Sequence, residues 1–387
     1  MENQLIDIKP LEKTKGFDGL KIKKADIAEI YPLVISSKLD KKFSLKEKII
    51  FDKILESYKK LNSNIDLDED NFVLKGHEIN EFKSIKSYDY ARYLIYRYKY
   101  NKYPELKITD DYPPCIQIEP SSICNYRCIM CYQIDRSFSK KSNGYMGYMN
   151  LDLYKNIIDQ IEGKVEAVTL ASRGEPLLNK DFTKMLEYSS GKFLGFKINT
   201  NASLLSEELS HTILSNLDIG TIVFSIDAAD KALYEKIRVN GDFEKVMRNI
   251  SMFKEIKEKH YKTSNIVTRV SGVKLNDDQD IDEMEKVWLN YVDQTGFTKY
   301  TPWQSSYEND TNNLSSACTE LWRRMFVWQD GIVNPCDYDY KSTLSVGKAT
   351  EISISNLWNS DKYKELRHLH LKNQRSSKSP CNKCPMT

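Results

Sequence analysis

Ser122-Ile123-Cys124-Asn125-Tyr126-Arg127-Cys128-Ile129-Met130-Cys131 places three of the chain's eight cysteines within eight residues. Three thiols are too few for a closed four-ligand metal site, and an odd number cannot pair off into disulfides. The spacing is Cys-x3-Cys-x2-Cys, and it follows a stretch, Cys115 to Glu119, that reads as a strand. Thiolates are soft ligands that suit iron–sulfur clusters. A cubane cluster has one more iron than this loop has thiols, so one iron would stay open to a substrate or cofactor. Spacing alone also allows a three-ligand zinc site completed by a distant residue.

Outward from this loop the pattern alternates between strand and helix. Strands are expected at 115–119, 165–170, 195–199, 220–226, 266–273 and 297–301, with helical stretches such as "NLDLYKNIIDQIE" and "SEELSHTILSNL" between them. Repeated βα units predict an α/β fold with a parallel sheet and helices outside it. Six units fall short of a closed eight-fold barrel, so the expectation is a partial (β/α)6 TIM-like barrel over 111–302, with its working face at the carboxyl ends of the strands. Residues 303–387 read as a smaller appendage. It holds a hairpin signal at Asp330-Gly331 and ends almost on Cys381-Asn382-Lys383-Cys384.

Residues 1–110 read as a mainly helical domain of unknown role. Ser44 and Glu47 form a capping box, and Ile50, Ile54, Tyr58 and Leu61 follow at helical spacing. The stretch from Tyr88 to Leu106 interleaves tyrosines with Arg92, Arg97 and Lys99, a composition able to stack single-stranded nucleic acid. The net charge of only +2 argues instead for a helix that docks its tyrosines on the next domain and leaves its charges in water. No nucleic acid is expected as a partner. The chain is 40% apolar and 29% charged, an ordinary globular composition. The start, "MENQLIDIKPLEKTKG", has no apolar h-region, and no run reaches membrane-span length, so a cytoplasmic protein without a membrane partner is expected.

The three-cysteine loop resembles that of the radical S-adenosylmethionine (SAM) superfamily, in which Cys124, Cys128 and Cys131 would bind a [4Fe–4S] cluster whose open iron holds SAM. Further segments resemble the family in order. "SRGEP" looks like its Gly-Glu-Pro element, implying SAM contacts at Ser172, Gly174 and Glu175, although Arg173 stands where a second glycine is usual. "INTNASLL" is similar to a segment at the ribose pocket, implying Asn199 and Asn201, with Ala202 in place of glycine. "FSIDAADKALYEKIRVNGDF" implies that Ser225 and Arg238 bind SAM's ribose and carboxylate. A guanidinium fork matches a carboxylate, though a surface pair of Arg238 with Glu235 or Asp242 is the bland alternative. Met130 matches a position near the adenine and would otherwise be loop filler.

Cys318, Cys336, Cys381 and Cys384 form a second set, and four thiolates make a closed site for either zinc or an iron–sulfur cluster. The segment resembles the SPASM or "twitch" appendage with one auxiliary [4Fe–4S] cluster, and its spacing is similar to that of the 2-deoxy-scyllo-inosamine dehydrogenases. That implies two clusters and SAM as cofactors, a reductase such as flavodoxin or ferredoxin as electron donor, and a 5′-deoxyadenosyl radical that takes hydrogen from substrate carbon. A closed auxiliary cluster suits electron transfer, so oxidation of a secondary alcohol on a carbohydrate- or cyclitol-like small molecule is the leading expectation. Two rivals use the same parts. A sugar epimerase needs a hydrogen-donating thiol, and Cys115, the only cysteine outside both sets, opens the first strand, far from the working face. A maturase of ribosomally made peptides would use residues 1–110 to capture its substrate. His368 and His370, two apart on a helix, point to different faces and read as surface or packing residues; Trp303, Gln304, Tyr132 and Arg173 lie in working-face loops without an assigned role.

Overall fold

A computed structural model of the chain describes residues 24–39 and 43–385. They form two compact units, the first ending at Ile108 and the second beginning at Thr109. The first unit holds α1 (Lys24–Ser36), α2 (Leu45–Asn62), α3 (Gly76–Ser84) and α4 (Tyr90–Leu106). Ser44 and Glu47 close the expected capping box at the start of α2. On α4 the tyrosines pack within this unit: Tyr98 against Phe72, and Tyr93 against Phe82. Arg97 departs from the expectation that the helix charges face water. It is buried, paired with the fully buried Glu78, and its guanidinium lies near the rings of Tyr93, Tyr96 and Tyr100.

The second unit alternates strand and helix. In chain order it has β1 (Cys115–Ile118), a one-turn α5 (Arg136–Ser139), α6 (Leu151–Ile161), β2 (Ala167–Leu170), α7 (Phe182–Ser189), β3 (Gly195–Thr200), α8 (Glu207–Asn216) and β4 (Ile219–Ser225). There follow α9 (Lys231–Ile237), α10 (Phe243–His260), β5 (Asn265–Lys274), α11 (Ile281–Trp288) and β6 (Gln294–Lys299). Most of these helices begin on a side chain that accepts the amide three residues on: Asn150 for α6, Ser206 for α8, Asp230 for α9, Asp242 for α10 and Asp280 for α11. Each such cap contributes about 1 kcal/mol. Strands β1 to β6 pair in sequence and all in parallel, as a mostly parallel partial barrel requires. Their apolar residues, such as Val168, Ile198, Ile222 and Val270, pack with Ile157, Leu186, Leu214 and Phe253 of the helices in one core.

The rest of the chain adds α12 (Glu320–Arg323), β7 (Arg324–Val327), β8 (Ile332–Asn334), β9 (Gly347–Lys348), α13 (Ile354–Trp358) and α14 (Asp361–Leu371). The expected hairpin forms, with β7 and β8 antiparallel and Gly331 at φ 82°, where glycine has no steric cost. Strand β7 also pairs in parallel with β1, Ile116 beside Met325 and Ile118 beside Val327. The appendage therefore continues the barrel's sheet, whose order is β6-β5-β4-β3-β2-β1-β7-β8-β9. β1 thus lies between β2 and β7, and the loop that follows it emerges at the junction of barrel and appendage.

Candidate iron–sulfur and SAM site

The cysteine loop is held by backbone pairing on one side and by side chains on the other. Arg127 donates its amide to the Val239 carbonyl at 2.9 Å, and Ile129 donates to Ile237 at 3.0 Å. These two bonds bring Cys128 alongside Arg238, whose Nη1 lies 3.9 Å from Cys128 Sγ. Arg238 is buried, and its Nη2 lies 2.7 Å from Asp227 Oδ2. Neither Glu235 nor Asp242 pairs with it. Asn240, at φ 71°, turns the chain after Arg238. Asp227 went unassigned in the sequence; the signal was a carboxylate two residues beyond Ser225, where β4 ends on the working face.

The loop after β2 presses against the same cysteine segment. A Cβ on Gly174 would stand 2.5 Å from the carbonyl oxygens of Ser121 and Ile123, so no side chain fits there. The Glu175 amide donates to Ile123 at 2.9 Å. The Glu175 carboxylate accepts from the Thr200 hydroxyl and the Asn201 amide, both at 2.7 Å, and so ties the β2 loop to the end of β3. Asn201 Nδ2 in turn donates to Asn125 Oδ1 at 2.9 Å, inside the cysteine loop. Ala202, where the resemblance has glycine, keeps a left-handed φ of 61° and is fully buried. Ser172 is strained as well, at φ 138°. Ser225 ends β4, half-buried, and Met130 packs on the edge of the core.

Arg173 does something the sequence left open. It is buried and grips Glu119 through two side-chain bonds of 2.6 and 2.7 Å, while Nη1 donates to the Tyr340 carbonyl at 2.9 Å. Its guanidinium lies 4.2 Å from the Trp328 ring centre. Next to Cys131, Tyr132 stacks on Tyr340 at 4.8 Å and 22°, and donates its hydroxyl to the Ser172 carbonyl. Tyr340 also donates to Asp135, which pairs with Lys341 at 2.7 Å. The three-thiol loop, the β2 loop and the appendage are thus locked together around one buried ion pair and one aromatic stack. Trp303 packs at this cluster and edge-on to Tyr338.

The second thiol set gathers at one place. Cys318, Cys336, Cys381 and Cys384 line one pocket with Leu321, Tyr338, His370 and Arg375. Arg375 is buried and donates to the carbonyls of Ser316, Cys381 and Cys384, which holds the last cysteine pair in place. Burial raises the pKa of Cys124, Cys128, Cys131, Cys318, Cys336 and Cys381, with Cys124 and Cys381 pushed up to about 12. Iron binding must therefore displace protons from these sites. Cys115, by contrast, is buried at the amino end of β1, away from the loops at its carboxyl end. Among the described residues, no three His, Cys, Asp or Glu side chains converge closely enough for a single metal ion; a cluster, whose thiolates each take a different iron, holds its ligands farther apart.

Comparison with known proteins agrees with this geometry. Residues 118–286 match the model of the radical SAM superfamily, and residues 318–385 that of SPASM, an iron–sulfur cluster-binding domain. The chain carries a radical SAM domain followed by a SPASM domain. Radical SAM domains imply a [4Fe–4S] cluster and SAM, and SPASM domains imply additional iron–sulfur clusters. The mycofactocin maturase MftC of Mycobacterium tuberculosis (strain CDC 1551 / Oshkosh) is 26% identical over 167 residues, which are 43% of this chain and 41% of MftC. The chain thus spans less than half the length of that relative. Among solved structures, Streptococcus suis SuiB bound to the precursor peptide SuiA shares the fold with a TM-score of 0.55 at 14% identity, over 95% of this chain and 87% of SuiB. BtrN in complex with AdoMet and 2-DOIA gives 0.47 at 17% identity, over 72% of this chain and 94% of BtrN. Among the described residues, no helix is long and apolar enough to cross a membrane.

The residues present fit these cofactors. Soft thiols stand at both places, and the buried polar atoms without a hydrogen-bond partner include Ser172 Oγ, Asn199 Oδ1 and Arg238 Nε. They suit a ligand that carries ammonium, hydroxyl and carboxylate groups. Glu175 adds a testable electrostatic signature. Burial, working against the Asn201 and Thr200 hydrogen bonds, pushes its carboxyl from 4.5 up to about 7. The folded chain then keeps a proton that the unfolded chain releases above about 4.5, so this group's share of stability falls as pH rises to about 7 and is flat beyond. Thermal unfolding measured across that window is expected to show a downward slope that Glu175→Gln reduces. Equal slopes in both proteins would refute it.

Proposed function

We propose that this chain is a radical SAM oxidoreductase. In this reading Cys124, Cys128 and Cys131 hold a [4Fe–4S] cluster with one open iron, and Cys318, Cys336, Cys381 and Cys384 hold a fully ligated auxiliary cluster. When bound, the first cluster and SAM together supply a radical able to take hydrogen from a substrate carbon. The protein's part is to bind and orient. Ser172, Asn199, Asn201, Ser225 and Arg238 offer polar groups to SAM, with Met130 beside its adenine. Gly174 lets the β2 loop approach, and Glu175 fixes that loop against β3. Arg238 adds positive charge beside Cys128, which favours the thiolate that iron requires.

The observation that carries the oxidative outcome is the packing of the two thiol sites on one another's supports: Tyr132, next to Cys131, stacks on Tyr340, four residues past Cys336. A fully ligated cluster has no iron to offer a substrate, so a place close behind the reaction site suits it to accept the electron left on a deprotonated alcohol radical. The leading substrate is a secondary alcohol on a carbohydrate- or cyclitol-like small molecule, oxidised to a ketone in a cytoplasmic protein supplied with electrons by a flavodoxin- or ferredoxin-like reductase. A second reading keeps the chemistry and makes the substrate a peptide. It is favoured by the likeness to peptide-bound SuiB, which spans 95% of this chain, and by the kinship to a maturase. Domain use would follow, with 1–110 reserved for substrate capture, 111–302 for SAM and 303–387 for the auxiliary cluster.

Anaerobic reconstitution with product analysis tests this. About eight irons per chain, as two cubanes require, are expected. A ketone formed in step with 5′-deoxyadenosine from a cyclitol or sugar supports the leading reading, and a modified peptide supports the second. About four irons with one zinc would overturn the auxiliary cluster.

A further inference from the structure

His370 stands out in the four-thiol pocket. It lies in the last turn of α14, is only 1% exposed and lines the pocket beside the four cysteines, whereas His368 on the same helix is exposed. The Cys318 amide donates to its Nδ1 at 3.1 Å. A nitrogen that accepts an N–H carries no proton itself, so the neutral ring must carry its proton on Nε2. That Nε2 is buried and has no hydrogen-bond partner. A buried donor left unpaired destabilises the fold. The fold therefore fixes both the tautomer and the direction of a donor, and offers it nothing among the protein's own atoms.

We propose that His370 Nε2–H donates a hydrogen bond to a sulfur atom of the auxiliary cluster and so raises its reduction potential; this rests on the reading of the four cysteines as cluster ligands. Hydrogen bonds to cluster sulfur stabilise the more negative, reduced state. The Arg375 guanidinium, fixed on the carbonyls around Cys381 and Cys384, places a positive charge in the same wall and acts in the same sense. His370 is thus a positioning residue that tunes the electron acceptor, and it makes no contact with substrate.

The test uses the full-length, anaerobically reconstituted protein and a potentiometric titration of the auxiliary cluster followed by electron paramagnetic resonance. In His370→Asn, the amide oxygen can replace Nδ1 as acceptor for the Cys318 amide, but no donor reaches the Nε2 position. Its cluster is expected to titrate at a more negative potential with unchanged iron content. His370→Gln, which can place a donor near Nε2, is expected to recover part of the shift. An assembled cluster with unshifted potential in His370→Asn overturns the proposal and leaves the cluster assignment standing. A wild-type protein without a second cluster overturns both. Should His370→Asn fail to assemble, electron–nuclear double resonance of the reduced wild type decides. An exchangeable proton coupled to the cluster supports the hydrogen bond. Its absence, or the coupling of a directly bound imidazole nitrogen, refutes it.

Discussion

Arg173→Ala is expected to destabilise the second unit by about 3–5 kcal/mol, the range for removing one partner of a buried ion pair. Arg173 is 3% exposed and Glu119 is fully buried, so water cannot replace the lost guanidinium. Burial opposes the Arg173 charge, but Glu119 more than compensates and raises its pKa. Glu119 keeps the Gln329 amide at 3.1 Å and the amide of residue 173, too little for a buried charge. Arg173→Gly is expected to be equally costly, because it strands the same buried carboxylate. Removing both charges with Glu119→Gln and Arg173→Met should cost less than Arg173→Ala alone. Denaturant unfolding followed by tryptophan fluorescence would measure all three; Trp328 lies against Arg173. A loss below about 1 kcal/mol for Arg173→Ala, the range of an exposed pair, would contradict the clamp.

The second large effect is chemical. Cys124→Ala, Cys128→Ala and Cys131→Ala are each expected to reduce 5′-deoxyadenosine formation from SAM to background, whereas Cys115→Ala retains it. The loop should stay folded in the Cys128 variant, because the Arg127–Val239 and Ile129–Ile237 pairings that flank the residue are backbone bonds. Loss of activity with intact circular dichroism therefore separates ligand loss from unfolding. Turnover that persists in any of the three would remove that cysteine from the site, and loss in Cys115→Ala would bring the spare thiol into the chemistry.

The order of strands and the position of the cysteine loop were legible because both depend on local pattern: alternating apolar runs, helix caps and a fixed thiol spacing. Strand limits moved by only a few residues, β6 ending at Lys299 instead of 301. What remained hidden depends on distant partners. Met325-Phe326-Val327 reads as one arm of a hairpin, and nothing nearby says that its other edge joins β1, some 200 residues earlier by number. Arg97 lies on a helix rich in charge, and its burial depends on Glu78 arriving from another helix. Arg238 has Glu235 and Asp242 as near neighbours in sequence, yet the backbone turn at Asn240 and the pairing with the cysteine loop bring it to Asp227. Arg173 looked like a departure from a glycine pattern, and only Glu119 gives it a purpose.

The most direct measurement is electron paramagnetic resonance of the reduced, anaerobically reconstituted protein before and after SAM is added, with 5′-deoxyadenosine counted in the same samples. An open iron beside Cys124, Cys128 and Cys131 predicts a cluster signal that changes when SAM binds, lost in Cys128→Ala, and nucleoside produced alongside it. A signal indifferent to SAM, or zinc in place of iron on those three thiols, would contradict it.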